Sequence, residues 1–271
     1  MSNSVKIAVL GASGRMGQQL IKAILADAEC QLVAAVTHRQ SSSLGKDVGS
    51  LIGMADVGLT VTHDLTAAAT AADVLVDFSL PQALADNLTV ARQSGTPIVV
   101  CTTGLNEQQN QDLQLAAEQT AVLYAANTSL GVNLLRELVR TASKALGAKA
   151  DIEILEAHHT AKRDAPSGTA LALGVAAAEG RNQVFSDVAE YQRNYNDQPH
   201  QPGSIGFATL RAGDIVGEHT VFLVLGGERL ELTHRVADRK TFAEGALNAA
   251  IWLKGQKAGF YSMNHVLGLD A

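Results

Sequence analysis

The chain has 271 residues, of which 46% are hydrophobic and 18% charged, with 24 Gly and 5 Pro. That apolar fraction excludes a disordered chain, and the length suits one large domain or two moderate ones. With 21 Lys and Arg against 27 Asp and Glu the formal charge is −6, which excludes a protein built to neutralise phosphate backbones, so nucleic acid is not an expected partner.

The longest apolar stretches, such as the run from Val221 to Leu225, fall far short of the ~20 residues that cross a bilayer, so no membrane partner is expected. Only a handful of apolar residues precede Gly11, too few for a signal-peptide core. Cys30 and Cys101 are distant in sequence and suggest neither a disulfide framework nor a thiolate metal site. The expected address is the cytoplasm, and no metal is expected.

In chain order, residues 5–10 form an apolar run ending at Gly11, and Leu20, Ile21, Ile24 and Leu25 then recur at helical spacing. A second apolar run at 31–36 completes a βαβ unit. Runs at 74–78, 97–101 and 121–126 read as further strands, and the polar-faced stretches 81–94 and 106–119 between them as helices. This alternation predicts an α/β domain with a Rossmann-like parallel sheet covered by helices on both faces.

After Asn127 the rhythm changes. Val132, Leu135, Leu138, Val139, Ala142 and Leu146 predict a helix, and 151–157 a half-buried strand. Three strand-like runs follow at 204–211, 218–225 and 228–236, joined by Ala212-Gly213-Asp214 and Gly226-Gly227. Short turns between consecutive strands predict antiparallel pairing, hence an α+β domain with a mostly antiparallel open sheet. The domains are expected at 1–128 and 129–238. Residues 181–202 lack any period and are expected to form a functional or mobile loop. Phe242, Ala246, Ala249 and Leu253 mark a closing helix that suits either domain.

Gly11-Ala12-Ser13-Gly14-Arg15-Met16-Gly17 lies between the first strand and first helix, where a dinucleotide fingerprint belongs. Glycines there permit a tight turn and close backbone approach, while the free N–H groups of the new helix face a pyrophosphate. At the end of the second strand an NAD site usually offers a carboxylate to the ribose. Here the residues are Thr37-His38-Arg39, and a guanidinium suits a 2′-phosphate, so NADPH is favoured with NADH as the alternative. Asp77-Phe78-Ser79, Cys101 and Ala126-Asn127-Thr128 end later strands, the edge where ligands bind in such sheets.

The densest chemistry lies in Glu156-Ala157-His158-His159-Thr160-Ala161-Lys162-Arg163-Asp164-Ala165-Pro166-Ser167-Gly168-Thr169. Imidazoles and cations precede a helix start with Ser167 as expected N-cap, an arrangement suited to receive a carboxylate-bearing substrate beside proton donors. Adjacent residues on a strand point to opposite faces, so His158 and His159 are expected to serve different tasks. No Asp, Glu or Cys completes a familiar metal-ligand spacing with them. Cys101 reads either as a nucleophile or as a buried small hydrophobe, and His234, on a face with Leu230, Leu232 and Val236, as a hydrogen-bonded core histidine.

Taken together, Gly11 to Gly17, Cys101 to Gly104, Glu156 to Thr169, Gly206 to Thr220 and Glu231 to Arg235 resemble the dihydrodipicolinate reductase family along the whole chain. The resemblance implies NAD(P)H-dependent reduction of a cyclic dicarboxylic imine in the diaminopimelate route to lysine. It also implies a homotetramer built through the second domain's sheet and a carboxy-terminal segment, 239–271, returning to the nucleotide domain. By position, His158 resembles the family's proton donor and acceptor, and Lys162 its second proton donor. His159, Ser167, Gly168, Thr169 and Thr103 match the substrate site. Gly11, Ala12, Ser13, Gly14, Arg15, Met16, His38, Arg39, Phe78, Cys101, Thr102, Thr103, Ala126, Asn127, Thr128 and Ser129 match the cofactor contacts. The chain departs from the family pattern at Thr37, where some members carry Glu, and at Cys101, where many carry Gly. Another two-domain dehydrogenase acting on a semialdehyde or amino acid, and a non-catalytic NADPH sensor, remain the competing readings.

Overall fold

The computed structural model describes residues 4–192 and 199–269, and the chain divides into two compact units. One reaches to Ser129 and resumes at Lys240, and the other spans Leu130–Arg239.

The first unit opens with β1 (Val5–Leu10), α1 (Arg15–Ala26) and β2 (Cys30–Val36). Leu20, Ile21 and Ile24 give α1 one apolar face, which it buries. Two short helices follow, α2 (Val48–Ile52) and α3 (Leu65–Ala71), capped by the Asp47 and Asp64 carboxylates. Then come β3 (Val74–Asp77), α4 (Leu84–Ser94), β4 (Ile98–Val100), α5 (Glu107–Ala117) and β5 (Ala121–Tyr124). Asn106 and Gln109 form a reciprocal capping box at the start of α5. Apart from Tyr124, the residues of β3, β4 and β5 are buried without alternation, as strands covered on both faces must be.

The second unit begins with α6 (Leu130–Leu146), β6 (Asp151–His158) and α7 (Gly168–Gly180). The short α8 (Phe185–Val188) and β7 (Ala189–Glu190) come next, inside the segment expected to be a loop; residues 193–198 of that segment lie outside the described residues. β8 (Ile205–Arg211), β9 (Gly217–Leu225) and β10 (Glu228–Val236) complete a five-stranded sheet in the order β10-β9-β6-β8-β7. The turn Gly226-Gly227 joins an antiparallel hairpin, as expected. Ala212-Gly213-Asp214 does not, because β6 inserts between β8 and β9, antiparallel to β9 and parallel to β8. The sheet is therefore mixed, with its longest ladder antiparallel. Ile152, Ile154, Val221 and Leu223 pack with Leu135, Val139, Leu173 and Ala177 of α6 and α7 on one face. Leu155 and Leu210 on the opposite face are 37% and 48% exposed.

The chain then re-enters the first unit through α9 (Lys240–Leu253), β11 (Gly259–Tyr261) and α10 (Met263–Leu267). α9 packs against α1 and across β3, β4 and β5, burying Ala243, Ala246, Ala249, Ala250 and Leu253. β11 pairs with β5, so the six-stranded sheet runs β11-β5-β4-β3-β1-β2 and is parallel throughout. Chain order reverses between β1 and β3, which opens a crevice at the carboxyl ends of the strands. Among the described residues no helix is long and apolar enough to cross a membrane.

Candidate active site

A cavity of about 410 Å³ lies at that crevice in the first unit. Gly14, Arg15 and Met16 reach it from the start of α1, and Phe78 and Ser79 from the end of β3. Cys101, Thr102 and Thr103 follow β4; Ala125, Ala126, Asn127 and Thr128 follow β5; Phe242 comes from α9. Ten of the residues expected to hold the cofactor thus converge from four strand ends. Ser79, at the strand end expected to face a ligand, joins them, whereas Ala125 and Phe242 were not anticipated.

The remaining expected residues stand behind or beside this cavity. Gly11 and Ala12 both donate their N–H to the Val36 carbonyl, at 3.0 and 2.9 Å, and so stitch the turn to β2. Ser13 Oγ is 2.8 Å from Thr37 Oγ1, which ties the same turn to the end of that strand. His38 and Arg39 are exposed just beyond it, and Ser129 is fully buried at the unit's edge.

The turn fits a dinucleotide. Gly11 has φ +78°, and a Cβ there would meet the Phe78 carbonyl oxygen at 2.7 Å. A Cβ on Gly17 would lie 2.3 Å from the Gly11 oxygen, so the absent side chain lets α1 close onto the turn. No side chain caps α1, which leaves the N–H groups of its first turn to a ligand. Below the cavity Asp77 is fully buried and accepts from the Ser79 N–H at 2.7 Å and the Thr102 hydroxyl at 3.4 Å. Burial pushes this carboxyl up against the pull of those bonds. Burial likewise pushes the Cys101 thiol well above its ordinary value, with the Asp77 charge adding to it, surroundings that disfavour the thiolate a nucleophile needs.

The basic motif lies in the second unit. Ser167 caps α7, its Oγ accepting the Ala170 N–H at 3.1 Å as expected. Gly168 is exposed and Thr169 half-buried in the first turn. Lys162 reaches Asp164 at 2.9 Å, and its N–H donates to the His159 carbonyl at 3.1 Å. His158 is buried at the end of β6, whereas His159, just beyond it, is half-buried with Nε2 3.4 Å from an Arg239 nitrogen. The two imidazoles thus occupy different environments.

Beneath His158 lies a polar layer the motif alone did not disclose. Glu156 is fully buried and accepts both Arg211 guanidinium nitrogens at 2.8 Å. Its Oε2 is 2.6 Å from His158 Nδ1, and its Oε1 accepts from the Ser167 N–H at 3.1 Å and the Thr209 hydroxyl at 3.3 Å. Burial pushes the Glu156 carboxyl up, but Arg211 and His158 outweigh it and hold the group below the usual carboxylate range. Burial lowers His158; Glu156 pulls the other way, and the Lys162 and Arg211 charges add to the lowering. The alternation of β6 was the available signal, since Glu156 and His158, two apart, share a face.

Across the sheet, Glu156 registers with His219 and His219 with His234. His219 Nε2 is 2.9 Å from Ser167 Oγ, and its ring meets that of His158 edge-on at 5.2 Å. His234 is half-buried on this layer and not a core residue, because β10 is an edge strand. Burial pushes His219 down to about 4, with His158 adding to the shift and Glu156 opposing it. The unfolded imidazole titrates near ~6.5. The stability this group contributes is therefore full above that value and lost as pH falls toward 4, by about 3 kcal/mol. Urea unfolding from pH 7 to pH 4 is expected to show a flatter acid limb for His219→Gln than for the parent, and equal slopes would refute the assignment.

Comparisons with known proteins agree along the whole chain. The family profiles "Dihydrodipicolinate reductase, N-terminus" and "Dihydrodipicolinate reductase, C-terminus" match residues 5–128 and 131–267. A protein of Pseudoalteromonas atlantica named 4-hydroxy-tetrahydrodipicolinate reductase is 48% identical over 97% of this chain and 99% of its own length. In fold the chain is similar to a dipicolinate-bound dihydrodipicolinate reductase from Paenisporosarcina sp. TG-14, with TM-score 0.75 and 23% identity over 96% of this chain and 97% of that one. It is also similar to an amine dehydrogenase from Mycobacterium smegmatis, with TM-score 0.61 and 12% identity over 96% and 95% of the two chains, a likeness of fold alone. The chain belongs to the dihydrodipicolinate reductase family and is an oxidoreductase that uses a nicotinamide cofactor.

Proposed function

We propose that this protein reduces 4-hydroxy-tetrahydrodipicolinate to tetrahydrodipicolinate in the diaminopimelate route to lysine, with NADPH as preferred donor. The observation that carries this reading is the buried Glu156–His158 pair beside Lys162 and the Ser167-capped start of α7, in a chain whose other unit holds a dinucleotide turn. The first unit serves as the nucleotide domain and the second as the substrate domain. When bound, the reduced nicotinamide supplies the hydride.

The chain's own residues do the rest. The N–H groups at Gly168 and Thr169, with His159 and Lys162, bind the two carboxylates, because cations and the positive end of a helix dipole favour anions. His158 and Lys162 manage the proton that accompanies reduction. Gly11 to Met16, Phe78, Cys101 to Thr103 and Ala126 to Ser129 position the cofactor. The decisive experiment follows NADPH absorbance with the purified protein and the condensation product of pyruvate and aspartate semialdehyde. Absence of oxidation would sink the reading and favour a sensor.

Arg39, exposed at the end of β2 with no carboxylate at Thr37, is placed to meet a 2′-phosphate. Arg39→Ala is expected to lower the NADPH-to-NADH ratio of kcat/KM by about 10-fold or more, the worth of one charge-assisted hydrogen bond. An unchanged ratio would refute the clamp. The exposed Leu155 and Leu210 face supports assembly into a homotetramer through the second unit's sheet, which sedimentation tests directly. A cytoplasmic location accords with the two unpaired cysteines.

A further inference from the structure

Glu156 is given no task by the acid–base scheme above, yet its surroundings are those of a part under tight control. Both oxygens are fully engaged: Oε1 by Arg211, the Ser167 N–H and Thr209, Oε2 by Arg211 and His158. The four partners come from three elements: Arg211 and Thr209 from β8, Ser167 from the cap of α7 and His158 from β6 itself. A residue so enclosed has one orientation available to it. Every group around it is a donor, and an ionised carboxylate only accepts.

That arithmetic decides the state of the imidazole. The 2.6 Å contact between Glu156 Oε2 and His158 Nδ1 requires one hydrogen, and it belongs to Nδ1. Nε2 then carries the lone pair of the neutral ring. On that side stands Gly217, where a Cβ would crowd Nε2 at 3.2 Å, so the glycine leaves room beside that atom. We propose that Glu156 is a positioning residue that holds His158 as the Nδ1–H tautomer, leaving Nε2 as the atom that exchanges the proton with substrate, while Arg211 balances the carboxylate charge.

The balance matters because an unpaired carboxylate at this distance would make the imidazole strongly basic. The charged or titratable groups facing His158 are Glu156 on its own strand, Arg211 from β8, His219 from β9 and Lys162 from the following loop. Arg211 and Lys162 offset Glu156, so orientation is obtained without fixing a proton on Nε2. When protonated His158 donates, Nε2 keeps the electron pair, Nδ1 keeps its hydrogen toward Glu156, and Glu156 stays ionised throughout.

The inference rests on the reduction proposed above, and its test is separable from it. Ring-¹⁵N-labelled full-length protein, with the His158 signals assigned against His158→Gln, is expected to show protonated Nδ1 and unprotonated Nε2 for the neutral ring. Glu156→Gln is expected to lower kcat about 10–100-fold with KM for the dicarboxylate within a few-fold, as supporting residues of this kind do. It is also expected to move the alkaline limb of the kcat profile, where protonated His158 is lost, to lower pH. Arg211→Gln is expected to move that limb upward, since the carboxylate is then uncompensated. A purely structural role predicts no opposed shift. Protonated Nε2 in the neutral parent ring, or unchanged kcat and tautomer in Glu156→Gln, overturns the proposal. If Glu156→Gln does not fold, the parent tautomer and Arg211→Gln decide. A parent that fails to oxidise NADPH refutes the reaction while the ¹⁵N spectrum still reads the tautomer.

Discussion

Lys162→Ala is expected to lower turnover of the cyclic dicarboxylate by about 10²–10⁴-fold, the range lost with a positioned acid–base group. Two functions disappear with one side chain. The ammonium, held within 2.9 Å of Asp164 beside the α7 start, is placed to bind a carboxylate, which acts on KM. It also carries a transferable proton, which acts on kcat. Lys162→Arg separates them: guanidinium retains the charge but does not release a proton near neutral pH. Arginine is expected to restore KM and leave kcat depressed, read from the loss of NADPH absorbance. Near-normal turnover in Lys162→Ala would remove Lys162 from the reaction.

The second large effect is expected from a single methyl group. In Gly17→Ala the new Cβ would lie 2.3 Å from the Gly11 oxygen and 2.9 Å from the Ala12 Cα, both backbone atoms that cannot rotate aside. α1 must lift from the turn, which carries the N–H groups placed to meet a pyrophosphate. Overpacking of this kind costs about 1–3 kcal/mol of stability, and NADPH affinity is expected to fall at least about 10-fold beyond it. Gly14→Ala is the control, because its Cβ would stand 3.2 Å from the same oxygen, where small adjustments suffice. Nucleotide fluorescence titration and urea unfolding read the two effects. Equal affinities in both variants would show that the turn is not a phosphate cradle.

What the sequence disclosed was local. The Val5–Leu10 run, the glycines after it and the amphipathic α1 each carry their own signal within a few residues, and so does Ser167 as a cap. Strand order is different in kind. Nothing near Ala212-Gly213-Asp214 reveals that β6, some fifty residues earlier, separates β8 from β9. β11 was invisible for a related reason: Gly259, Phe260 and Tyr261 are too few for a period, and they become a strand because β5 offers them an unpaired edge. α3 was hidden in an Ala-rich run whose one clear mark was the Asp64 cap.

The same distinction holds at the site. His158, Lys162 and Ser167 stood out because they cluster within one motif. Arg211 joins Glu156 across 55 residues, and only the parallel register of β6 and β8 puts His158 beside Arg211 and Glu156 beside Thr209. His219 reaches Ser167 across 52 residues by the antiparallel register of β9. Polar partners set by strand pairing cannot be read before the pairing is known.

The return of α9 and β11 sets an order on biogenesis. A nascent chain that has emerged only as far as Arg239 contains every strand of the second unit, but its amino-terminal sheet still exposes the β5 edge and the surface that α9 covers. The part made first is finished last. Truncation before Leu253 therefore damages the end of the molecule opposite in sequence, and a ribosome stalled there holds an aggregation-prone sheet for chaperones to shield.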